Sequence, residues 1–207
     1  MAGRGGVGVS QSDAVVVLAA GGSTRLGQAK QLLTRDGETL VHRAVRLALE
    51  TSPAQVLVVV GANADSIAAC VADLDCELVS NSEWQSGMAG SLRAAGENLG
   101  PAVQRVLVLV CDQPALERRH LDALLEGARA SEAGCAATVH GDALGVPAVV
   151  PRDWFESMPA AGDRGFGARL GQQPAAGIYR LEAPDLETDI DSPGDLAKAR
   201  VRGWLDG

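Results

Sequence analysis

The sequence predicts a three-layer α/β/α sandwich built around a mostly parallel sheet. Three observations carry this. Short β-branched runs alternate with helical patterns from Ala14 onward, the runs are mainly apolar, and neither an internal repeat nor a linker breaks the alternation. Strands that are apolar on both faces need cover on both faces, which crossover helices supply in a parallel sheet. Right-handed crossovers then gather the strand ends, and any ligand, along one edge.

The elements follow in order. Met1 to Asp13 is rich in Gly, Ser and small residues without periodicity, so residues 1–13 are expected to form a mobile leader, with one domain over residues 14–207. Strands are expected at Ala14–Ala20, Gln55–Gly61, Glu77–Ser80 and Arg105–Cys111, each short enough for a buried strand. Helices are expected at Thr39–Thr51, Ala64–Asp73, Ala89–Leu99 and Glu117–Ser131, the first with apolar positions Leu40, Val41, Ala44, Val45, Leu47 and Ala48. Beyond Ala130 the pattern loosens. Cys135–His140, Pro147–Val150 and Ala176–Glu182 read as strands, and Asp153–Ser157 and Phe166–Gly171 as helical pieces. A last helix opens at Ser192-Pro193-Gly194-Asp195, which offers an N-cap serine, a proline at the first helical position and an acid at the third.

The 207 residues, 46% hydrophobic and 21% charged, suit one compact domain. A net charge of -8 and a pI near 4.9 argue against a sequence-independent grip on nucleic acid phosphates, so any anionic ligand must be held locally. No apolar run approaches the roughly 20 residues of a membrane-spanning helix. Cys70, Cys76, Cys111 and Cys135 lack paired CxxC spacing and no signal peptide opens the chain, so reduced thiols in a cytoplasmic protein are expected. His42, His120 and His140 lack metal-ligand spacing, and no Gly-x-Ser-x-Gly turn presents a nucleophilic serine.

The strand Val15–Ala19 runs into Ala20-Gly21-Gly22-Ser23-Thr24-Arg25-Leu26-Gly27 and then Lys30. Glycines let backbone amides approach an anion, Ser23 and Thr24 add hydroxyls, and Arg25 and Lys30 add cations. The spacing is neither GxGxxG nor a P-loop with GK[ST]. A phosphate cradle and an ordinary tight connection both remain open on these residues alone, and two cations in one short turn of an acidic chain favour the cradle. Asp112 follows the apolar run Val106–Val110, at a strand end where ligands collect in an open α/β sheet. A hard oxygen ligand there suits Mg²⁺, while the alternative is a cap on a helix beginning near Pro114 or Leu116.

Leu18-Ala19-Ala20-Gly21-Gly22-Ser23-Thr24-Arg25-Leu26-Gly27-Gln28-Ala29-Lys30 resembles the signature of the small nucleotidyltransferases of molybdenum cofactor synthesis, most closely the molybdenum cofactor cytidylyltransferase-like branch. The likeness recurs in order at Ser86-Gly87-Met88-Ala89-Gly90-Ser91-Leu92, Cys111-Asp112-Gln113-Pro114, Gly145-Val146-Pro147, Gly162-Asp163-Arg164-Gly165 and Asp189-Ile190-Asp191-Ser192-Pro193. It implies a Rossmann-like fold of the nucleotide-diphospho-sugar transferase type, with nucleotide bound by the N-terminal half and acceptor by the C-terminal half. In the family reaction a phosphate monoester attacks the α-phosphate of a nucleoside triphosphate and pyrophosphate departs. The resemblance implies that the backbone of Leu18, Ala19, Ala20, Gly21 and Gly22, with Ser23, holds the nucleotide, and that Arg25, Lys30 and Asp112 are catalytic. Asp112 and Asp191 would hold Mg²⁺, with Asp189 in reserve.

Asn81, Gly87 and Ser91 resemble the elements that contact base and ribose, although Asn81 also reads as a turn residue and Ser91 as a helix serine. Gly145, Pro147, Asp163 and Arg164 fall where the family accepts its pterin. Arg164 and Arg169 are placed to take its phosphate, and a solvated helix face is the other reading of both. Guanylyl-transferring relatives read LAGG and cytidylyl-transferring ones LAAG, so Ala20 favours CTP. The chain departs from the family in having Ser192-Pro193-Gly194-Asp195 in place of Thr-Pro-Glu-Asp and an extra glycine pair, Gly165-Phe166-Gly167. Together these imply transfer of CMP from CTP to molybdopterin, with a molybdoenzyme or its maturation chaperone downstream. Another phosphorylated acceptor, GTP as donor, and a non-catalytic cofactor-delivery protein are the rival readings.

Overall fold

The computed structural model describes residues 13–207. The leader expected over Met1–Asp13 lies outside these residues except for its last member. Asp13 opens the first strand instead, buried at 8% exposure, with its carboxylate accepting from Arg105 Nε at 2.9 Å and Arg129 Nη2 at 2.6 Å. A charge at the start of an apolar run looks like its boundary; here two guanidinium groups make its burial tolerable.

In chain order the elements are β1 (Asp13–Leu18), β2 (Thr34–Arg35), β3 (Glu38–Thr39), α1 (Leu40–Glu50), β4 (Gln55–Val60), α2 (Ala64–Cys70) and β5 (Glu77–Ser80). They continue with α3 (Met88–Asn98), β6 (Arg105–Val110), α4 (Arg118–Ala130), β7 (Cys135–His140), β8 (Ala143–Pro151), α5 (Gly167–Gly171), β9 (Ile178–Leu181) and α6 (Pro193–Val201). The main sheet has the order β5-β4-β1-β6-β8-β7-β9. β4, β1 and β6 pair in parallel, as do β4 with β5 and β7 with β9, whereas β8 runs antiparallel to both its neighbours. The reversal is local in origin. β7 and β8 are joined by a two-residue turn at Gly141-Asp142 with Gly141 at φ 58°, and a hairpin that short can only return antiparallel.

Alternation along the strands sends successive residues to opposite layers. Val15 and Val17 of β1 pack with Val41 and Val45 of α1, Ile67 of α2 and Leu121 and Leu124 of α4. Ala14 and Val16 face the other way, onto Leu92 and Ala95 of α3 and onto Trp154, Phe155 and Phe166. The three-layer sandwich with a mostly parallel sheet is thus borne out, and all six expected apolar positions of α1 are buried. A third cluster matters for the site: Leu26 of the glycine-rich turn, Ile190, and Leu196 and Ala199 of α6 pack together and seat the C-terminal helix beside that turn. α6 begins as its sequence predicts, with Ser192 and Asp195 forming a reciprocal capping box, so loss of the family's extra acid leaves the cap intact.

The hairpin β2–β3 was not among the expected elements. Asp36 and Gly37 form its turn, both with positive φ (54° and 78°), and their amides donate to the Asp206 carboxylate at 2.9 Å each. The four cysteines are free, Cys111 and Cys135 buried. Among the described residues no helix is long and apolar enough to cross a membrane.

Candidate active site

β1 ends at Leu18, and the following turn is held by a buried side chain. Gln31, 2% exposed, donates from Nε2 to the carbonyls of Ala19 at 3.0 Å and Gly21 at 2.7 Å. Ser23, at φ 50°, accepts from the Lys30 amide at 3.1 Å and lies 3.4 Å from Gln31 Oε1. Gly22 permits a close approach, since a Cβ there would sit 2.7 Å from the Trp84 ring. The turn therefore closes back on the residues just after it and delivers Lys30, at the start of a short 3-10 turn, to the C-terminal edge of the sheet.

There the charges form a chain. Lys30 Nζ lies 2.5 Å from Asp112 Oδ2 and 3.0 Å from Asp191 Oδ1, and Arg25 Nη2 lies 2.7 Å from Asp191 Oδ2. Asp112 sits just past β6, and its backbone carbonyl accepts from Ile190 N at 3.0 Å, which brings Asp191 alongside. α4 is capped by Glu117 and not by Asp112, so the capping alternative for Asp112 is removed. Burial works against the Lys30 charge, but the Asp112 charge and the hydrogen bonds to both aspartates raise its pKa above the ordinary lysine value. Asp191 is opposed by burial and held below its ordinary value by Lys30 and Arg25. Burial, then the charge of Asp112, pushes Asp189 up to about 6. Burial pushes the Cys111 thiol up and Asp112 adds to this, so Cys111 is an inert neighbour.

Arg25, Lys30 and Asp112 border a cleft of about 400 Å³, while Asp191 lines a smaller neighbouring pocket together with Arg25 and Lys30. Leu18, Ala20, Gly21 and Gly22 form one wall, with Arg25, Lys30 and Asp112 at the charged end. Gly87, Met88 and Ser91 at the start of α3 form the opposite wall, joined by Trp84, Gln85 and Asp163. Asp163 arrives from the later half because Gly162 is stapled to the α3 entrance: Gly162 N donates to Ser86 O at 2.7 Å and Ala89 N to Gly162 O at 2.9 Å. Gly87, at φ 107°, makes this approach possible, since a Cβ would meet Gly162 O at 2.5 Å.

Some expected residues stand elsewhere. Ala19 is 1% exposed and belongs to the core, contributing only its carbonyl to Gln31. The Ser23 hydroxyl serves the turn itself. Asn81 lies behind the cleft, where Nδ2 donates to Ser91 Oγ at 3.0 Å and Oδ1 accepts from Glu83 N at 3.1 Å, so it supports Ser91 and its own turn. Gly145, Pro147 and Arg164 do not line the cleft. Gln31 and Trp84, which hold and back the cradle, escaped the sequence reading. Gln31 gave a signal, a polar residue breaking the run before Leu32-Leu33; Trp84 gave its rarity, one of three tryptophans.

The donor set suits a hard divalent cation. Asp112 Oδ1 is buried without a hydrogen-bond partner among the described residues, and Asp191 stands across Lys30 from it. The Asp112 and Asp191 carboxylates, bridged here by Lys30 Nζ, are the kind of oxygen ligands Mg²⁺ takes together with substrate phosphates and water. No group of three or more His, Cys, Asp or Glu side chains converges among the described residues.

The fold is that of the nucleotide-diphospho-sugar transferases. The fold recurs in a nucleotidyl transferase from Methanothermobacter thermautotroptrophicus, Mth528, with a TM-score of 0.77 over 92% of this chain and 97% of that one at 21% identity. Residues 15–177 match the MobA-like NTP transferase domain, and the chain belongs to that family. It is 33% identical over 187 residues to nicotine blue oxidoreductase of Paenarthrobacter nicotinovorans, covering 86% of this chain and 91% of that protein. It is 36% identical over 135 residues to the bifunctional protein GlmU of Rhodococcus opacus, of which the match spans 27%. Rv0371c of Mycobacterium tuberculosis, solved in complex with manganese, shares the fold with a TM-score of 0.72 over 90% of this chain and 97% of its own at 24% identity.

Proposed function

We propose that the protein transfers CMP from CTP to the phosphate of a molybdopterin-type acceptor with Mg²⁺, releasing pyrophosphate and giving the cytosine dinucleotide form of the cofactor. The observation that carries this reading is the chain of charges from Asp112 through Lys30 and Asp191 to Arg25, of which Asp112, Lys30 and Arg25 close one end of a glycine-walled cleft. An acceptor phosphate oxygen forms a bond to the α-phosphorus of CTP while the bond from that phosphorus to the β-phosphate oxygen breaks, and the electron pair leaves with pyrophosphate. Lys30 and Arg25 are the cations available to the growing negative charge, and the backbone of Ala20 to Gly22 holds the nucleotide near them. Bound to Asp112 and Asp191, Mg²⁺ would neutralise and orient the triphosphate. Ala20 supports CTP over GTP. In this reading residues 14–207 act as one domain, the N-terminal half binding nucleotide and the C-terminal half acceptor through Asp163. Four unpaired thiols suit a reducing cytoplasm.

The test is a matrix of the four nucleoside triphosphates against molybdopterin and simple phosphorylated acceptors, with Mg²⁺ and pyrophosphate release as readout. Turnover is expected with CTP and molybdopterin; turnover only with another pair would replace the substrates, and binding without turnover would favour a delivery protein. The 33% identity to a protein named an oxidoreductase supports a second reading, reduction of an organic dye by a nucleotide-type hydride donor in the same cleft. Oxidation of reduced nicotinamide dinucleotide by such a dye, in the absence of pyrophosphate release, would select it.

A further inference from the structure

The segment 30–35 and the loop 112–117 are joined by two links. One is the Lys30–Asp112 ion pair in the cleft. The other lies away from the cleft: Arg35 Nη1 donates to Pro114 O at 2.7 Å and Arg35 Nη2 lies 3.0 Å from Glu117 Oε1. Arg43 of α1 reinforces it, donating from Nη2 to Leu116 O at 3.2 Å and to the same Glu117 oxygen at 2.9 Å. The loop has no regular structure of its own, Pro114 and Leu116 are buried, and the two guanidinium groups satisfy their carbonyls. Both arginine side chains are largely buried, 20% and 12% exposed, so these contacts have little freedom to shift.

We infer that Arg35 and Arg43, gripping Glu117 and the carbonyls of Pro114 and Leu116, are positioning residues that set Asp112 opposite Lys30. The inference rests on the reading of Asp112 as a metal carboxylate. A cation on Asp112 and a triphosphate on Lys30 compete with the link inside the cleft, because each takes one partner of that ion pair. The link outside the cleft touches neither ligand and persists, so Asp112 keeps its place when its own ion pair is exchanged. Charge-assisted bonds from a planar guanidinium are suited to this, since they fix direction as well as distance.

The test compares Arg35→Ala, Arg35→Lys and Glu117→Gln with the unaltered protein. Free Mn²⁺ is titrated by its electron paramagnetic resonance signal with and without CTP, alongside thermal midpoints and steady-state pyrophosphate release. Arg35→Ala is expected to weaken Mn²⁺ binding and raise the metal concentration for half-maximal turnover about tenfold, the scale seen when groups orienting a metal ligand are removed. KM for CTP at saturating metal should stay within about twofold on the same grounds. Arg35→Lys should recover part of the metal affinity. Glu117→Gln, which weakens the grip of both arginines but leaves the carbonyl bonds, should shift metal affinity in the same direction by less, and serves if Arg35→Ala does not fold. A lowered thermal midpoint with unchanged Mn²⁺ affinity and unchanged metal half-saturation would overturn the inference, as would an unaltered protein that binds no Mn²⁺. Mn²⁺ binding without pyrophosphate release from any substrate pair would defeat the transferase reading while leaving this one standing.

Discussion

Lys30 and Asp112 meet with 19% and 13% of their side chains exposed, whereas Arg25 and Asp191 meet with 76% and 37% exposed. Both pairs belong to one chain of charges and are separated only by the second carboxylate oxygen of Asp191. At the outer end a water-exposed ion pair contributes about 0–1 kcal/mol and its long side chain adapts freely. At the inner end desolvation opposes the pair, and it persists only because geometry and extra hydrogen bonds offset that cost. The fold supplies that geometry: Gln31 and Ser23 fix the approach of Lys30, and the Ile190 amide fixes the backbone of Asp112. In the proposed transfer, a cation that meets developing charge must be held before the charge develops, and only the inner end holds its cation in this way.

The comparison is tested most severely at the inner end. Lys30→Ala and Asp112→Ala should each lower pyrophosphate release with CTP and acceptor by about 10²–10³-fold, the scale of removing one preorganised group from a transition state. Circular dichroism should show a folded chain in both, because neither side chain carries core packing. A loss under tenfold for either would mean that burial at this position serves the fold and not the reaction.

The outer end should respond more gently. Arg25→Ala and Asp191→Ala are expected to lose about tenfold in turnover, near 1.4 kcal/mol, with stability changed by less than about 1 kcal/mol. Equal losses for Asp191→Ala and Asp112→Ala would make the two carboxylates equivalent ligands and erase the distinction between the ends. Chemical denaturation beside the activity assay separates these outcomes.

Legibility in the sequence follows the same gradient. The strands of the nucleotide edge were readable because fully buried strands are apolar throughout, as in Val15–Val17 and Val106–Leu109. Arg25, Lys30, Asp112 and Asp191 were readable as a set through the ordered motifs, and the structure brings them together. The motifs did not distinguish residues that line the cleft from residues that shape it. Asn81 is recognisable yet stands behind Ser91, and Ser23 turns its hydroxyl inward, because a hydroxyl or amide in a tight turn has backbone partners closer than any ligand. Gln31 was missed for the complementary reason: its role depends on carbonyls that only the folded turn presents. The β2–β3 hairpin had a readable signal, Asp36-Gly37, but with two residues per strand no periodicity accompanied it. In the later half β8 is reversed and Gly145 and Pro147 miss the cleft, since their motif reports packing against Gln113 through the Val146 carbonyl.

A third charge cluster shows what burial alone contributes. Glu38 is 19% exposed, as withdrawn as Lys30, and accepts from Arg46 Nε and Nη2 at 2.8 Å each while lying 2.6 Å from His42 Nδ1. It does not line the cleft. Hydrogen bonds from Arg46, against the opposing effect of burial and with His42 assisting, hold its carboxyl down at about 2. Because the folded-state value is below the ordinary 4.5, the stability Glu38 contributes is present above pH 4.5 and is lost as pH falls from there toward 2. Glu38→Gln should therefore cost about 1 kcal/mol at pH 7, the scale of a partly exposed, hydrogen-bonded charge, and the gap to the unaltered protein should close as pH falls through that window. Turnover at pH 7 should fall by less than the about tenfold expected at the outer end, because the cluster faces no substrate and reaches the site only through Arg43, whose Nη1 lies 3.8 Å from Glu38 Oε2. A gap that stays constant down to pH 2.5 would show the cost to be packing and not charge. A loss of turnover matching that of Lys30→Ala would mean that buried charge anywhere along this edge supports the reaction, and the inner pair would lose its special standing.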